Sequence, residues 1–311
     1  MKISKWKLKA FVQKGISFFP YPTHLNYLFQ RHITKGVQLT DEYFAYKIQH
    51  AKDHIEYFTK YSNPNSNKLI VELGTGWYPI IPIFMYLTNS GKVISIDIQN
   101  WMSKKTQIVS IKKIKEWKED KRLNKYFYIL DTDKWKLLEN ILSAPSNYTK
   151  ADINELIGLK TIIKDARQTG LDSKSVDYIC SNNTFEHIYY DTLIEILKEF
   201  KRIIKPHGVM SHFIDMSDHF AHFDKNITIY NFLQYSQKNW NLIDNKIQPQ
   251  NRLRLKDYIS LYNSLKIPIT NQKIWDGEMK ALDTINLDDT YSNYSKQELA
   301  ISHAYLISQI N

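Results

Sequence analysis

Two glycines follow the first strongly apolar segment of the chain, and an acidic residue ends the next one. The segment 68–73 (KLIVEL) has the pattern of a buried strand, Gly74 and Gly76 come directly after it, and Asp97 ends the apolar run 92–98. Glycines at such a strand end let the backbone approach a ligand closely, at the start of the next helix. A carboxylate at the following strand end can accept hydrogen bonds from both hydroxyls of a ribose. The spacing therefore predicts a nucleotide-binding loop.

The residues around the glycines disfavour a dinucleotide. A dinucleotide-binding loop has a third glycine where this chain has Pro79, and bulky Trp77 and Tyr78 precede that proline. Glu72, inside the strand, would add negative charge close to a pyrophosphate. A carboxylate there suits a ligand with a positive charge or an ammonium group, and S-adenosylmethionine carries both.

Short strands and helices alternate along the chain after residue 68. This alternation predicts an α/β fold with an open, mostly parallel sheet and helices on both faces. The helical pattern is strongest over 191–204 and recurs over 255–265. The seven predicted strands are 68–73, 92–98, 161–164, 175–180, 208–214, 272–275 and 301–310.

Five motifs in this order resemble those of the class I S-adenosylmethionine-dependent methyltransferases, with a type 11-like methyltransferase domain. The resemblance covers about 65–215 together with the closing strands, and it implies a Rossmann-like seven-stranded sheet. His207 departs from the family pattern by replacing the first glycine of its "LKPGG" turn. The motifs are 71–77 (VELGTGW), 94–97 (ISID), Asp165-Ala166 before 175–179 (SVDYI), 182–188 (NNTFEHI) and 197–208 (LKEFKRIIKPHG).

The resemblance implies S-adenosylmethionine as the methyl donor and assigns the glycine loop to it. Gly74, Thr75 and Gly76 would line the methionine end of the cofactor. Glu72 would organise the loop or meet the amino group through water. Asp97 would hold the ribose.

Five further residues are implied at the adenine and methyl ends of the cofactor. Ile98 would pack on the adenine ring, while Asp165 would accept a hydrogen bond from the adenine amino group beside the Ala166 amide. Ser181 and Asn182, at the end of the fourth strand, would face the sulfonium and the methyl group. The alternative roles are a helix or turn cap for Asp165 and a turn residue for Asn182.

Methyl transfer is an in-line displacement, so the enzyme mainly positions its two reactants. A base is needed only for a hydroxyl or a protonated amine, and neutral histidine is the side chain best matched to neutral pH. Because Asp215 and Asp218 lie close to His219 in sequence, we predict His219 as the base. His187, which follows Glu186, is the second candidate.

The segment 215–222 (DMSDHFAH) also contains residue types that bind metals. His219 and His222 could act with Asp215 or Asp218. The spacing allows metal binding but does not require it. We therefore predict a polar loop facing the substrate and no metal site.

The overall charge limits the classes of partner. The chain has 42 basic and 32 acidic residues, a net charge of +10, but only six of the basic residues are arginine. Few arginines argue against a nucleic-acid partner, which would use them for bidentate contacts. Cys180 is the only cysteine and no apolar run approaches the ~20 residues of a bilayer span, so we expect a cytoplasmic protein.

We expect a helical N-terminal extension over 1–60 and a methyltransferase domain over 61–311, with insertions at about 103–158 and 216–254. The extension and parts of the insertions should cover the substrate side of the cofactor pocket. Residues 1–20 are basic and amphipathic, which leaves open either packing on the protein or a peripheral membrane contact.

The predicted function is methyl transfer from S-adenosylmethionine to a small-molecule or glycan-type acceptor, with O-methylation favoured. Two alternatives stay open: an NAD-dependent oxidoreductase, and a non-catalytic nucleotide-binding or membrane-associated module. The sequence does not indicate an oligomeric state.

Overall fold

The structure, a computed structural model, describes residues 4–19 and 38–311. The rest of the predicted N-terminal extension, 1–3 and 20–37, lies outside the described residues. Helix α1 spans Lys5–Ile16 and helix α2 spans Asp41–Tyr61. The Thr40 side chain accepts a hydrogen bond from the Tyr43 amide and so caps α2, whose first turn carries acidic residues that favour the positive end of the helix dipole.

Seven strands form one open sheet in the order β3-β2-β1-β4-β5-β7-β6. The first five strands of that order are parallel to one another, and β7 pairs antiparallel with both β5 and β6. The predicted open, mostly parallel sheet is therefore confirmed. The strands are β1 Leu69–Leu73, β2 Lys92–Asp97, β3 Leu159–Ile163, β4 Val176–Asn182, β5 Ile204–Asp215, β6 Asn271–Trp275 and β7 His303–Gln309.

Strand β5 is longer at its start than the predicted 208–214. The pairing with β4 is irregular near Val176, and His207 lies at a φ of +62° in the left-handed region. That region favours glycine, which is the residue that the family turn has at this position. The chain therefore keeps the backbone conformation of the turn without its glycine.

Helices cover both faces of the sheet. The apolar side chains Leu193, Leu197 and Phe200 recur at helical spacing on α7 and are buried against one face. On the other face, α2 to α6 bury a second core that includes Phe44 and Phe84. The remaining helices are α3 Ile80–Leu87, α4 Lys104–Glu119, α5 Thr132–Ser143, α6 Lys150–Leu156, α7 Tyr190–Ile203, α8 Gln237–Ile243, α9 Leu255–Ser264, α10 Met279–Leu282 and α11 Lys296–Ala300.

Helix α1 packs on the aromatic segment that follows β5. Trp6 is buried against Phe220, with ring centroids 5.6 Å apart, and the Trp6 amide donates to Asp224 Oδ2 at 3.1 Å. Phe11, on the outward face of α1, is 77% exposed. One face of the helix thus takes part in the protein core, while the peripheral membrane contact stays a prediction. Within the described part of the chain, no helix combines the length and the apolar character needed to cross a membrane.

Candidate active site

A cavity of about 580 Å³ lies at the carboxyl ends of the parallel strands. Ligands of open α/β sheets bind at this edge. Its walls come from the loops after β1, β2, β3 and β4, from α2 and from the segment before α9. The lining residues include Tyr43, Lys47, Gly74, Thr75, Gly76, Trp77, Asp97, Ile98, Trp101, Asp165, Ala166, Asn182, Asn183, His187, Tyr189 and Gln248.

The loop after β1 requires both of its glycines. Gly74 and Gly76 have φ values of +78° and +71°, which side-chain-bearing residues rarely adopt. A Cβ on Gly74 would lie 2.5 Å from Thr184 Oγ1, whereas a Cβ on Gly76 would meet nothing within 4 Å. The Gly76 backbone therefore faces open space, where a ligand can approach it closely.

Glu72 lies behind this loop rather than in the cavity wall. Its buried carboxyl group accepts a hydrogen bond from Thr75 Oγ1, and Thr75 itself lines the cavity. Burial raises the pKa of Glu72 from 4.5 to about 7. Of the two roles expected for Glu72, the geometry favours organising the loop.

We expect Glu72→Gln to make the protein less sensitive to alkaline pH. Because the pKa of Glu72 is higher in the folded chain than in the unfolded one, folding loses stability as the pH rises from 4.5 through 7. At about 1.4 kcal/mol per pKa unit, this loss reaches about 1–3 kcal/mol by pH 8. A neutral glutamine avoids it and can still accept from Thr75.

Urea denaturation at pH 5 and pH 8 measures the effect. The free energy of unfolding of the variant, relative to the natural protein, should rise by that amount between the two pH values. Exposed Glu119→Gln serves as the control. An equal difference at both pH values would show that the folded protein does not hold the Glu72 carboxyl group protonated.

Asp97 and Ile98 follow β2 side by side in the cavity wall. The two carboxylate oxygens of Asp97 accept from the amides of Gly76 at 3.2 Å and Gln99 at 3.3 Å, and burial raises its pKa. Ile98 is 70% exposed although it lines a cavity. An apolar side chain left uncovered in this way offers a flat ligand ring a surface to pack on.

Asp165 and Ala166 close the cavity at the end of β3. The Asp165 carboxylate accepts from the Arg167 amide at 2.9 Å and pairs with the Arg167 guanidinium at 2.6 Å, which holds the pKa of Asp165 below its usual value. Asp165 is therefore a turn cap and also part of the cavity wall. The two roles that the sequence left open are compatible.

The end of β4 divides its two predicted residues between opposite faces of the sheet. Asn182 lines the cavity, where its Oδ1 lies 3.2 Å from His54 Nε2 and its buried Nδ2 makes no hydrogen bond. Ser181 points to the other face and bonds His212 Nδ1 at 2.8 Å, away from the cavity. Successive strand residues alternate sides, so the two could not both face the methyl group.

Of the two predicted bases, only His187 lines the cavity. Its Nδ1 lies 2.7 Å from the Pro249 carbonyl, and burial lowers its pKa to about 4, so Nδ1 carries the single proton of a neutral ring. His219 lies behind His187, with ring centroids 4.8 Å apart, and its Nε2 is 3.4 Å from Asp215 Oδ2. The structure thus puts the second-ranked candidate, His187, in the cavity wall and the first-ranked candidate, His219, behind it.

Sequence reasoning did not identify the α2 residues in this wall individually. Tyr43 and Lys47 line the cavity, and Tyr46 Oη donates to Asn183 Oδ1 at 3.0 Å. The indication in the sequence was that His50 and His54 lie on the apolar face of α2, where the structure buries them. Buried polar groups need hydrogen-bond partners, so two histidines on this face indicate that α2 packs against polar residues. The segment 246–249 also contributes, whereas no residue of 103–158 lines the cavity.

Comparisons with known families, proteins and solved structures gave the following matches. A family model for a methyltransferase domain matches residues 138–211. Similar solved structures include the PH0226 protein from Pyrococcus horikoshii OT3, at 12% identity and a TM-score of 0.49, with 91% of this chain and 98% of that chain covered. Geranyl diphosphate C-methyltransferase from Streptomyces coelicolor A3(2) has 9% identity, a TM-score of 0.47 and full coverage of both chains. No curated protein sequence matches the chain.

The cavity also fits the cofactor that the family uses. Asp97 offers carboxylate oxygens for ribose hydroxyls, Ile98 offers an apolar surface for adenine, and the Nδ2 of Asn182 lacks a partner. The buried carboxyl group of Glu72 stands behind the loop that would meet the methionine part. The sheet, this loop and the family-model match over 138–211 are together consistent with a class I S-adenosylmethionine-dependent methyltransferase.

Proposed function

We propose that the chain transfers the methyl group of S-adenosylmethionine to a hydroxyl oxygen of a small-molecule or glycan-type acceptor. The observation that supports this proposal is the position of His187. It is a neutral imidazole in the wall of the cofactor cavity, with Nδ1 tied to a backbone carbonyl. Its Nε2 is then the unprotonated nitrogen and can accept a hydroxyl proton.

The transfer itself needs little beyond this base. The acceptor oxygen forms a bond to the methyl carbon as the carbon–sulfur bond breaks, and the sulfur keeps the electron pair. The hydroxyl proton passes to His187 Nε2. Asn182, held by His54 in the cavity wall, would help to position the reactants.

The lining of the cavity also combines aromatic and polar side chains. Trp77 and Trp101 have ring centroids 4.8 Å apart, and Tyr43, Lys47 and Gln248 are further lining residues. Aromatic faces with polar groups among them suit a sugar ring or another compact hydroxyl compound. Trp77 also lines the part of the loop where the backbone would have to approach the pyrophosphate of NAD closely. Its bulk therefore argues against the oxidoreductase alternative.

Calorimetry and label transfer together test this proposal. We expect S-adenosylmethionine and its demethylated product to bind, NAD not to bind, and labelled methyl from S-adenosylmethionine to appear on hydroxyl compounds. Matched pairs of acceptors that differ only in a hydroxyl or an amine would identify the acceptor atom. Label on the amine member alone would contradict O-methylation, and binding of the cofactor without transfer to any acceptor would favour a non-catalytic module.

A further inference from the structure

A second group of reactive side chains lies beside the cavity, behind His187. The chain leaves β5 at Asp215 and enters a short 3-10 helix, His219–His222, where Asp218 Oδ1 accepts a hydrogen bond from the Phe220 amide. This turn brings the Nε2 atoms of His219 and His222 to 3.4 and 3.8 Å from the same oxygen, Asp215 Oδ2. One carboxylate oxygen and two imidazole nitrogens thus converge on one point.

Hydrogen bonding accounts for only part of this convergence. His219 Nε2 is buried and makes no hydrogen bond. The other oxygen of Asp215 already accepts from the Ser217 amide at 2.8 Å and lies 3.3 Å from His303 Nε2. The polypeptide therefore holds Oδ1 of Asp215 in place, while Oδ2 faces the two rings at distances too long for good hydrogen bonds.

The distances are close to those between the ligands of a metal ion, with His219 Nε2 at 3.4 Å and His222 Nε2 at 3.8 Å from Asp215 Oδ2. A tetrahedral ion with bonds of 2.0–2.1 Å holds its donor atoms ~3.3–3.4 Å apart. Two imidazoles with one carboxylate form a common ligand set for transition ions. His303, whose Nε2 lies 3.3 Å from the far oxygen of Asp215, is in the position of an outer partner that orients a ligand.

Glu186 supplies an independent observation on the same side of the cavity. Its side chain is 2% exposed, and neither of its carboxylate oxygens has a hydrogen-bond partner. It offers an oxygen within 4.8 Å of donor atoms of His187 and His219. In the described residues Asp215 forms ion pairs only with histidines and Glu186 forms none, so nothing of fixed positive charge is paired with these two buried carboxyl groups.

We propose that Asp215, His219 and His222 bind one divalent transition ion of the zinc type, with the Glu186 carboxylate beside it. A double positive charge would stabilise the ionised form of both buried carboxyl groups, and burying a carboxylate without such a charge is costly. His222, whose side chain is 61% exposed, gives the ion a path from solvent.

Three protein ligands leave a coordination position open. His219 contacts His187, and His187 lines the cofactor cavity, so the ion lies next to the end where the acceptor is expected. A role of the open position in binding the acceptor rests on the proposed function. The binding of the ion is independent of that function, because it needs neither cofactor nor acceptor.

Metal binding by tag-free protein tests the site directly. The protein is stripped with chelator, titrated with Co²⁺ and Zn²⁺ in separate experiments, and followed by calorimetry and by the visible absorption of Co²⁺. We expect one equivalent per chain, with a Co²⁺ spectrum typical of tetrahedral nitrogen and oxygen ligands. His222→Ala should weaken binding by at least roughly a hundredfold, more than the loss of an outer partner causes. His207→Ala, which removes an exposed histidine elsewhere, should bind as the natural protein does.

Asp215→Asn provides a second test, with circular dichroism and calorimetry of S-adenosylhomocysteine to verify folding. The proposal is overturned if the natural protein takes up no stoichiometric ion. It is also overturned if His222→Ala binds as tightly as His207→Ala. A chain that binds Co²⁺ but transfers no methyl group to hydroxyls would keep the metal site and reject only the O-methylation.

Discussion

Replacing His187 with Ala is expected to lower the rate of methyl transfer to a hydroxyl acceptor by ~10²–10⁴, the usual loss on removing a general base. The physical reason is that the acceptor oxygen must lose its proton as the methyl group arrives. Among the described residues, His187 is the histidine that lines the cavity, and its bond to Pro249 fixes which nitrogen is free. Affinity for S-adenosylmethionine should change little, because His187 lies outside the glycine loop and the ribose site.

Single-turnover rates with a saturating cofactor measure this effect without a contribution from product release. His187→Gln keeps polarity but cannot act as an imidazole, so it should be nearly as slow as the Ala variant. Added imidazole should restore part of the rate in the space left by the ring. An acceptor with a more acidic hydroxyl should depend less on His187, because less proton transfer is needed.

Two outcomes would decide against this role. An Ala variant with the natural rate on a hydroxyl acceptor would remove His187 from catalysis, and His219→Ala would be the next variant to compare. A slow variant that has also lost its cofactor affinity would indicate damage to the cavity rather than loss of a base. The exposed His207→Gln variant is the matched control for removing an imidazole.

The second large effect is expected at the ribose. Asp97→Ala should weaken S-adenosylmethionine binding by ~1.5–3 kcal/mol, the range of charge-assisted hydrogen bonds. That corresponds to roughly 10- to 150-fold in the dissociation constant. The same carboxylate accepts from the Gly76 amide, so part of the loss would come from a less ordered loop.

Deoxyribose analogues separate these two contributions. With the natural protein, the 2′-deoxy form of S-adenosylhomocysteine should bind more weakly than the parent compound. With Asp97→Ala the two compounds should bind almost equally, because the group that distinguishes them is gone. If the loss of the 2′-hydroxyl weakens binding by the same factor in both proteins, Asp97 does not contact the ribose hydroxyls and acts only on the loop.

Residues whose roles depend on near neighbours in the chain were accessible from the sequence. The KLIVEL strand, the two glycines and the acid at the next strand end were predicted, and the loop geometry explains why glycine is needed at 74 and 76. A strand end, the turn after it and the next strand are consecutive in sequence. Hydrophobic periodicity and backbone restrictions therefore determine them locally.

Residues whose roles depend on the direction in which the side chain points were harder to predict. Ser181 and Asn182 are adjacent in sequence, yet only the register of β4 decides which of them meets the cavity. His187 and His219 both follow strands at the correct edge of the sheet. The packing of the 216–254 segment, which carries Pro249 against His187, decides which ring reaches the cavity.

The sequence alone thus determined the sheet, the cofactor loop and the class of cofactor, because each is carried by a continuous pattern of burial and turn residues. Only the tertiary structure decided which side chains of α2 and of 246–249 reach the cavity, and which candidate ligands of 215–222 lie close together. Tyr46 and Asn183 are joined across 137 positions, and Asp215 meets His303 through the antiparallel pairing of β5 with β7. Contacts between such distant segments depend on how α2 and the closing strands pack on the sheet. No local pattern records that packing, since the same side chains would satisfy their local preferences in several arrangements.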